Sequence, residues 1–332
     1  MGQLSDKFKN MSLAIKEERV PYDETSNNGY IFNEKHYIPE ELLLDLLSYY
    51  VDYKTLISCQ LVCKQWNLFM KNYVWRKKAE LILSHTLPLD EDTPWTTYYL
   101  ICHKKPFHRN LIRNHSGQKN LSSDRNWTII SDGGDGWTVE SPPSGVIALP
   151  DDPVFNGTNC CFVTSYGKCW KQQVIDLVKE GLSEYLLDNW QPPIKVSEWF
   201  SSRWDCSAVY VCTTELMSDD NVVLKHYNYS RTMRDEDQNQ WFKYEYEFRN
   251  YGKGLRKIKF CHGGQDRQYW AGHYGSKMAR ACIILEIPDS MHHEVSISQE
   301  ETVSPEPYYL SEEPNFIREE WSYSEEEYDS EE

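Results

Sequence analysis

The sequence predicts a multidomain chain: a short all-α module, an all-β sandwich of jelly-roll type, and a disordered acidic C-terminal tail. Three observations predict it. Residues 37–80 carry apolar side chains at helical spacing. From about Trp127 to Ile287 the pattern changes to short β-rich runs separated by turn signals. From Pro288 onward there are 15 acidic residues and one basic residue, Arg318, which together hold −14 of the chain's formal −16. The expected divisions are a flexible lead-in at 1–36, the helical module at 37–80, a helical linker at 81–122, the sandwich at 123–288 and the tail at 289–332.

The helical module opens at Pro39. Proline suits a first helical turn, and Glu40 and Glu41 meet the positive end of the helix dipole. Leu43, Leu46, Leu47 and Tyr50 recur at helical spacing. A break near Asp52 precedes a second run through Leu56, Cys59, Leu61, Val62 and Trp66. A third run carries Phe69, Tyr73, Val74 and Trp75. Three short helices cannot bury all of this surface among themselves, so part of it is expected to face a partner.

The clearest strand is "WFKYEYEF". Phe242, Tyr244, Tyr246 and Phe248 take one face, and Lys243, Glu245 and Glu247 the other. "AVYVCTTELM", "NVVLKHYNY", "LRKIKF" and "RACIILEI" are further strands, with "MSDDN" and "NYGKG" as turns between runs. Regular short strands of this kind indicate a sandwich or jelly roll. One helical interruption is expected at "KQQVIDLVKEGLSEYLLD". "HGGQDRQYWAGHYG", from His262 to Gly275, is expected to be a loop, because four glycines suit neither a buried strand nor a helix.

Composition excludes several functions. A net charge of −16 argues against binding nucleic acid or an anionic membrane surface. No apolar run approaches the ~18 residues of a membrane helix. The first ten residues lack a signal-peptide core. Asp6 stands where a myristoylation motif needs Ser or Thr. The ten cysteines form no Cys-x-x-Cys pair and are expected to be reduced, mostly buried thiols. "HGG" has no Gly-x-Ser-x-Gly elbow to serve. "SDGGDGW" lacks P-loop, dinucleotide and calcium-loop spacing, and "MHHEV" is not a zinc motif. No catalytic residue, cofactor or metal is expected.

Ile38-Pro39-x-Glu41-Leu42, then Leu56, Leu61-Val62-Cys63-x-x-Trp66 and Val74-Trp75-Arg76, resembles an F-box. That resemblance implies docking on a Skp-type adaptor, and through it on a cullin scaffold, by way of Ile38, Pro39, Leu42, Leu43, Leu46, Leu61, Val62 and Trp66. "GGDGWTVE", "FVTSYGKCWKQQVIDLVKEG", "YLLDNWQPPIKVSEWFSSRWDC" and "HGGQDRQYWAGHYG" resemble the F-box-associated domain of sugar-recognising F-box proteins.

The second resemblance implies a sandwich whose loops grip the inner chitobiose of high-mannose N-glycans. Tyr166, Tyr269 and Trp270 match its glycan-contacting aromatics, and Asp205 is a candidate for binding hydroxyls. A flat aromatic ring can pack on the C–H face of a sugar while polar neighbours bind its hydroxyl belt. Ala271 stands where some members carry Lys, and His273 where Trp is common. The implied role is recruitment of misfolded, N-glycosylated clients for ubiquitination, in the cytoplasm at the cytosolic face of the endoplasmic reticulum. The open alternative is an F-box adaptor whose associated domain reads a protein surface.

Overall fold

The computed structural model describes residues 30–32, 36–87, 92–119, 124–155 and 157–287. The acidic tail, and residues 1–29 of the expected lead-in, lie outside the described residues. At the end of that lead-in, β1 (Tyr30–Phe32) pairs antiparallel with β2 (His36–Ile38), which runs on into the first two residues of the expected helical module.

Helix α1 (Glu40–Asp45) begins behind Pro39, whose carbonyl accepts the Leu43 amide at 3.1 Å. It widens into a π-helical turn over Leu46–Tyr50. Asp52 then caps α2 (Tyr53–Cys59), accepting the amides of Lys54 and Thr55 at 2.9 and 3.1 Å. These bonds, with that from the Thr55 hydroxyl, hold the Asp52 carboxyl below its usual range. Helix α3 (Lys64–Phe69) passes through a second wide turn, Met70–Val74, into α4 (Trp75–Leu83). Helix α4 begins in the expected module and continues past residue 80 to Leu83. Among the described residues of the expected helical linker, only the end of α4 and α5 (Trp95–Lys104) are helical; residues 105–119 are irregular.

Two five-stranded antiparallel sheets form the sandwich. One runs in the order β10 (Phe242–Phe248), β7 (Ile194–Ser201), β12 (Lys277–Leu285), β5 (Cys161–Val163), β4 (Thr138–Glu140). The other runs β3 (Thr128–Asp132), β6 (Cys169–Asp176), β11 (Lys257–Asp266), β8 (Ala208–Met217), β9 (Val223–Met233). Phe162, Phe200, Tyr210, Leu216, Phe260, Met278 and Ile283 fill the space between them. The same apolar core continues through Trp190 and Leu186 to Tyr98, Ile101 and Trp75 of the helices.

Two expectations fail here. The proposed helix at 171–188 is strand at its start and turn through its middle. Lys171–Asp176 belong to β6, and helical geometry is confined to a short turn ending in the wide turn Leu186–Trp190. The period of two was hidden because two of the inward positions of β6 carry Lys171 and Gln173. The second failure is the start of "HGGQDRQYWAGHYG", which is not loop. His262, Gly263 and Gly264 are buried within β11. A Cβ on Gly263 would lie 2.1 Å from the Cys169 carbonyl oxygen, and one on Gly264 2.1 Å from that of Val209. Glycine is needed because neighbouring strands approach too closely for any side chain.

Candidate functional site

Four loops meet at one end of the sandwich: 133–137 after β3, 164–168 after β5, 202–207 after β7 and 267–276 after β11. Polar contacts lock them together. The Ser165 hydroxyl accepts the Asp135 amide at 2.9 Å and donates to the Gly272 carbonyl at 2.7 Å. The Asp135 carboxylate accepts the Gly272 amide at 2.6 Å. Gly275 and Thr164, Asp266 and Ser165, and Arg267 and Ser207 are joined by backbone hydrogen bonds of 2.9–3.0 Å. Gly272 sits at φ +108°, a conformation few side chains adopt, and lets the loop turn above Tyr274.

On this base the aromatic side chains stand outward. Tyr269 is 68% exposed and Trp270 43% exposed. Trp270 meets Tyr274 edge-to-face at 5.6 Å between ring centroids. The guanidinium carbon of Arg203 lies 4.6 Å from the Tyr274 ring centroid. Arg203 also grips Asp205 with two hydrogen bonds, of 2.9 and 3.0 Å, and holds its carboxyl below the usual range. Asp205 and Trp270 are thus joined through Arg203 and Tyr274. Tyr166 is half-buried and packs over Gly134. All four sugar-site candidates lie on these loops.

Sequence reasoning missed three contributors. Trp204 is 63% exposed beside Arg203, and "SRWDC" displayed it between a cation and a carboxylate. Arg203 itself orients Asp205. Asp266 is fully buried at the base of the loop and accepts the Tyr269 amide at 2.6 Å. Its spacing, a carboxylate three residues before the amide it binds, is a readable turn signature.

The adaptor candidates divide by exposure. Leu42, Leu46, Leu61 and Val62 are exposed, with Leu61 at 84%. Tyr50, Tyr49 and Tyr73 are exposed on the same module. Ile38, Pro39 and Trp66 are half-buried. Leu43 is buried in the chain's own core, so the leucine row of α1 splits between an inward and an outward face.

Below the loops, the sandwich interior holds ionisable side chains. His262 Nδ1 lies 2.7 Å from Glu198, which also accepts the Tyr210 hydroxyl at 2.5 Å. Beside them Lys171 is completely buried. Its Nζ lies 2.8, 4.1 and 4.7 Å from the ring centroids of Phe162, Trp137 and Trp127, and no acceptor among the described residues hydrogen-bonds it. Burial pushes the Lys171 ammonium well below its ordinary range, against the pull of Glu198 and Asp124. Eight of the ten cysteines are buried, and all ten are free thiols. Among the described residues no group of three or more His, Cys, Asp or Glu is placed to hold a metal, and no helix is long and apolar enough to cross a membrane.

A helical docking module packed on a β-sandwich that displays aromatic rings on its loops defines a recognition protein of two parts. The chain belongs to the F-box-associated family of F-box proteins: the F-box associated region matches residues 102–285 and the F-box-like module residues 36–80. The chain is 37% identical to F-box only protein 6 of Rattus norvegicus over 75% of its own length and 85% of that protein. It is 34% identical to F-box only protein 2 of Bos taurus, over 81% and 89%, and 32% identical to F-box only protein 27 of Mus musculus, over 84% and 100%. Among solved structures, a family 11 carbohydrate-binding module of Clostridium thermocellum is matched at a TM-score of 0.24 and 15% identity, over 51% of this chain and 92% of the module. Likeness of that degree says nothing about what this chain binds. Family membership supports the role of a substrate adaptor of the Skp-cullin-F-box class.

Proposed function

We propose that this chain is the substrate-recognition subunit of a Skp-cullin-F-box ubiquitin ligase that binds high-mannose N-glycans on misfolded glycoproteins. It would direct their ubiquitination in endoplasmic-reticulum-associated degradation, from the cytosolic face of that compartment. One observation carries the glycan reading: Tyr269 and Trp270 are held outward on a loop whose backbone is fixed by carboxylates and hydroxyls. Rings of this kind suit the apolar face of a pyranose, and Asp205, held ionised by Arg203, suits its hydroxyl edge. The exposed Leu42, Leu46, Leu61 and Val62 suit the adaptor. Exposed Ala271, which offers no donor, favours the second reading, in which the same loops meet a protein surface.

A pull-down with tagged full-length chain tests both halves. Captured glycoproteins should disappear after enzymatic removal of N-glycans and return to control levels without it. Clients that remain after glycan removal would support the protein-surface reading. Leu42→Asp with Leu61→Asp should abolish capture of the Skp-type adaptor and leave glycoprotein capture intact, since each puts a charge into an apolar contact. A double variant that still captures adaptor would remove these two residues from the interface.

A further inference from the structure

Tyr269 has φ +56°, the left-handed region that non-glycine residues rarely occupy. Something must hold it there, because an exposed tyrosine gains little from its own packing. The neighbouring Asp266 is fully buried and makes no part of the surface a ligand would touch. Its Oδ1 accepts the Tyr269 amide at 2.6 Å. Its second oxygen is buried with no partner among the described residues, so the group is not explained by a salt bridge or core network. The far limb of the same loop is anchored separately, by Asp135 on the Gly272 amide.

We propose that Asp266 is a positioning residue: it binds the Tyr269 amide and holds Tyr269 left-handed, so that Tyr269 and Trp270 are set outward before any ligand arrives. Its connection to sugar binding rests on the glycan reading above. The physical reason for such a device is preorganisation. A loop already fixed in its bound form does not lose that freedom on association.

Amide exchange on the full-length protein tests the positioning without any ligand. The Tyr269 amide should exchange about 10- to 100-fold more slowly than in unstructured chain, despite the exposure of its side chain, as expected of a hydrogen bond to a charged acceptor. Asp266→Asn keeps an oxygen acceptor and should retain that protection. Asp266→Leu and the milder Asp266→Ala remove it, and the Tyr269 amide should then exchange freely. Titration with N,N′-diacetylchitobiose should show roughly tenfold weaker binding in the Leu and Ala variants and near-normal binding in the Asn variant. Free exchange of Tyr269 in the wild type, or unchanged protection in whichever of the Leu and Ala variants folds, overturns the proposal. If the wild type binds no chitobiose, the glycan reading fails by itself, and exchange still decides whether Asp266 positions the loop.

Discussion

The interior cluster around Lys171 and the loop cluster around Trp270 are built from the same kinds of side chain. Each sets aromatic rings beside one basic side chain and one acidic one: Trp127, Trp137 and Phe162 with Lys171 and Glu198 inside, Trp270 and Tyr274 with Arg203 and Asp205 at the loop end. They differ in access and in pairing. Arg203 forks onto its carboxylate, whereas Lys171 is surrounded by rings, and His262 takes the carboxylate instead. The contrast teaches that residue type alone does not mark a recognition site. Sealed between the sheets, such a set becomes a costly part of the core; open at a strand end, it becomes a surface on which flat molecules can lie.

Four changes would break or sharpen that contrast. The largest effect is expected from Glu198→Ala. It strips His262 and Tyr210 of their buried acceptor, and removing one member of a buried charged network costs about 3–5 kcal/mol. Chemical denaturation measures it; a loss below about 1 kcal/mol would mean the interior cluster is not a network. Next is Trp270→Ala, which should weaken chitobiose binding by about 2 kcal/mol while leaving the melting temperature nearly unchanged. A large fall in melting temperature would instead place Trp270 in the structural half of the comparison.

Lys171→Met should act in the opposite sense, raising stability at neutral pH by about 1 kcal/mol, because an unbranched apolar chain replaces a desolvated amine. Its pH dependence follows from the depressed ammonium. The folded chain binds the Lys171 proton less well than the unfolded one, so wild-type stability gains from this residue as pH rises toward the ordinary value of 10.5. The advantage of the Met variant should therefore shrink steadily over that range. A constant advantage would show that Lys171 is not shifted downward. The smallest effect belongs to Arg203→Gln. This partly exposed pair should cost under about 1 kcal/mol of stability, yet the freed Asp205 should weaken sugar binding measurably. Unchanged affinity would show that the Arg203 grip on Asp205 plays no part in sugar binding.

Much of the fold was legible. "AVYVCTTELM" is β8 residue for residue, and "MSDDN" and "NYGKG" are turns, with Asn221, Asn250 and Gly252 at positive φ. What was not legible came from contacts between distant segments. The glycines at 263 and 264 read as loop because the crowding they relieve comes from Cys169 and Val209. Lys171 and Gln173 disguised β6 because their burial depends on residues far along the chain. Leu42 and Leu43 are adjacent and equally apolar; only packing against the later helices sends Leu43 inward. At the loop end, Tyr269 and Trp270 could be singled out from sequence. Trp204 gains its meaning only from the neighbours the fold gives it, and Asp266 shows in the sequence only as a carboxylate three residues before the amide it binds.

The junction between helices and sandwich has a mechanical consequence. Tyr98 of α5 lies against Trp190, Thr97 shares a hydrogen bond of 2.8 Å with Ser183, and Gly181 leaves room for Lys104 where a Cβ would stand 2.2 Å away. Trp75, Trp95 and Tyr99 interlock above this seam. The two parts are welded rather than leashed, so the chain works as a bracket. Whatever rests on the loop end is carried at a set bearing from whatever clamps the helices, and only the portion of a cargo swept by that arm comes within reach of machinery on the far side.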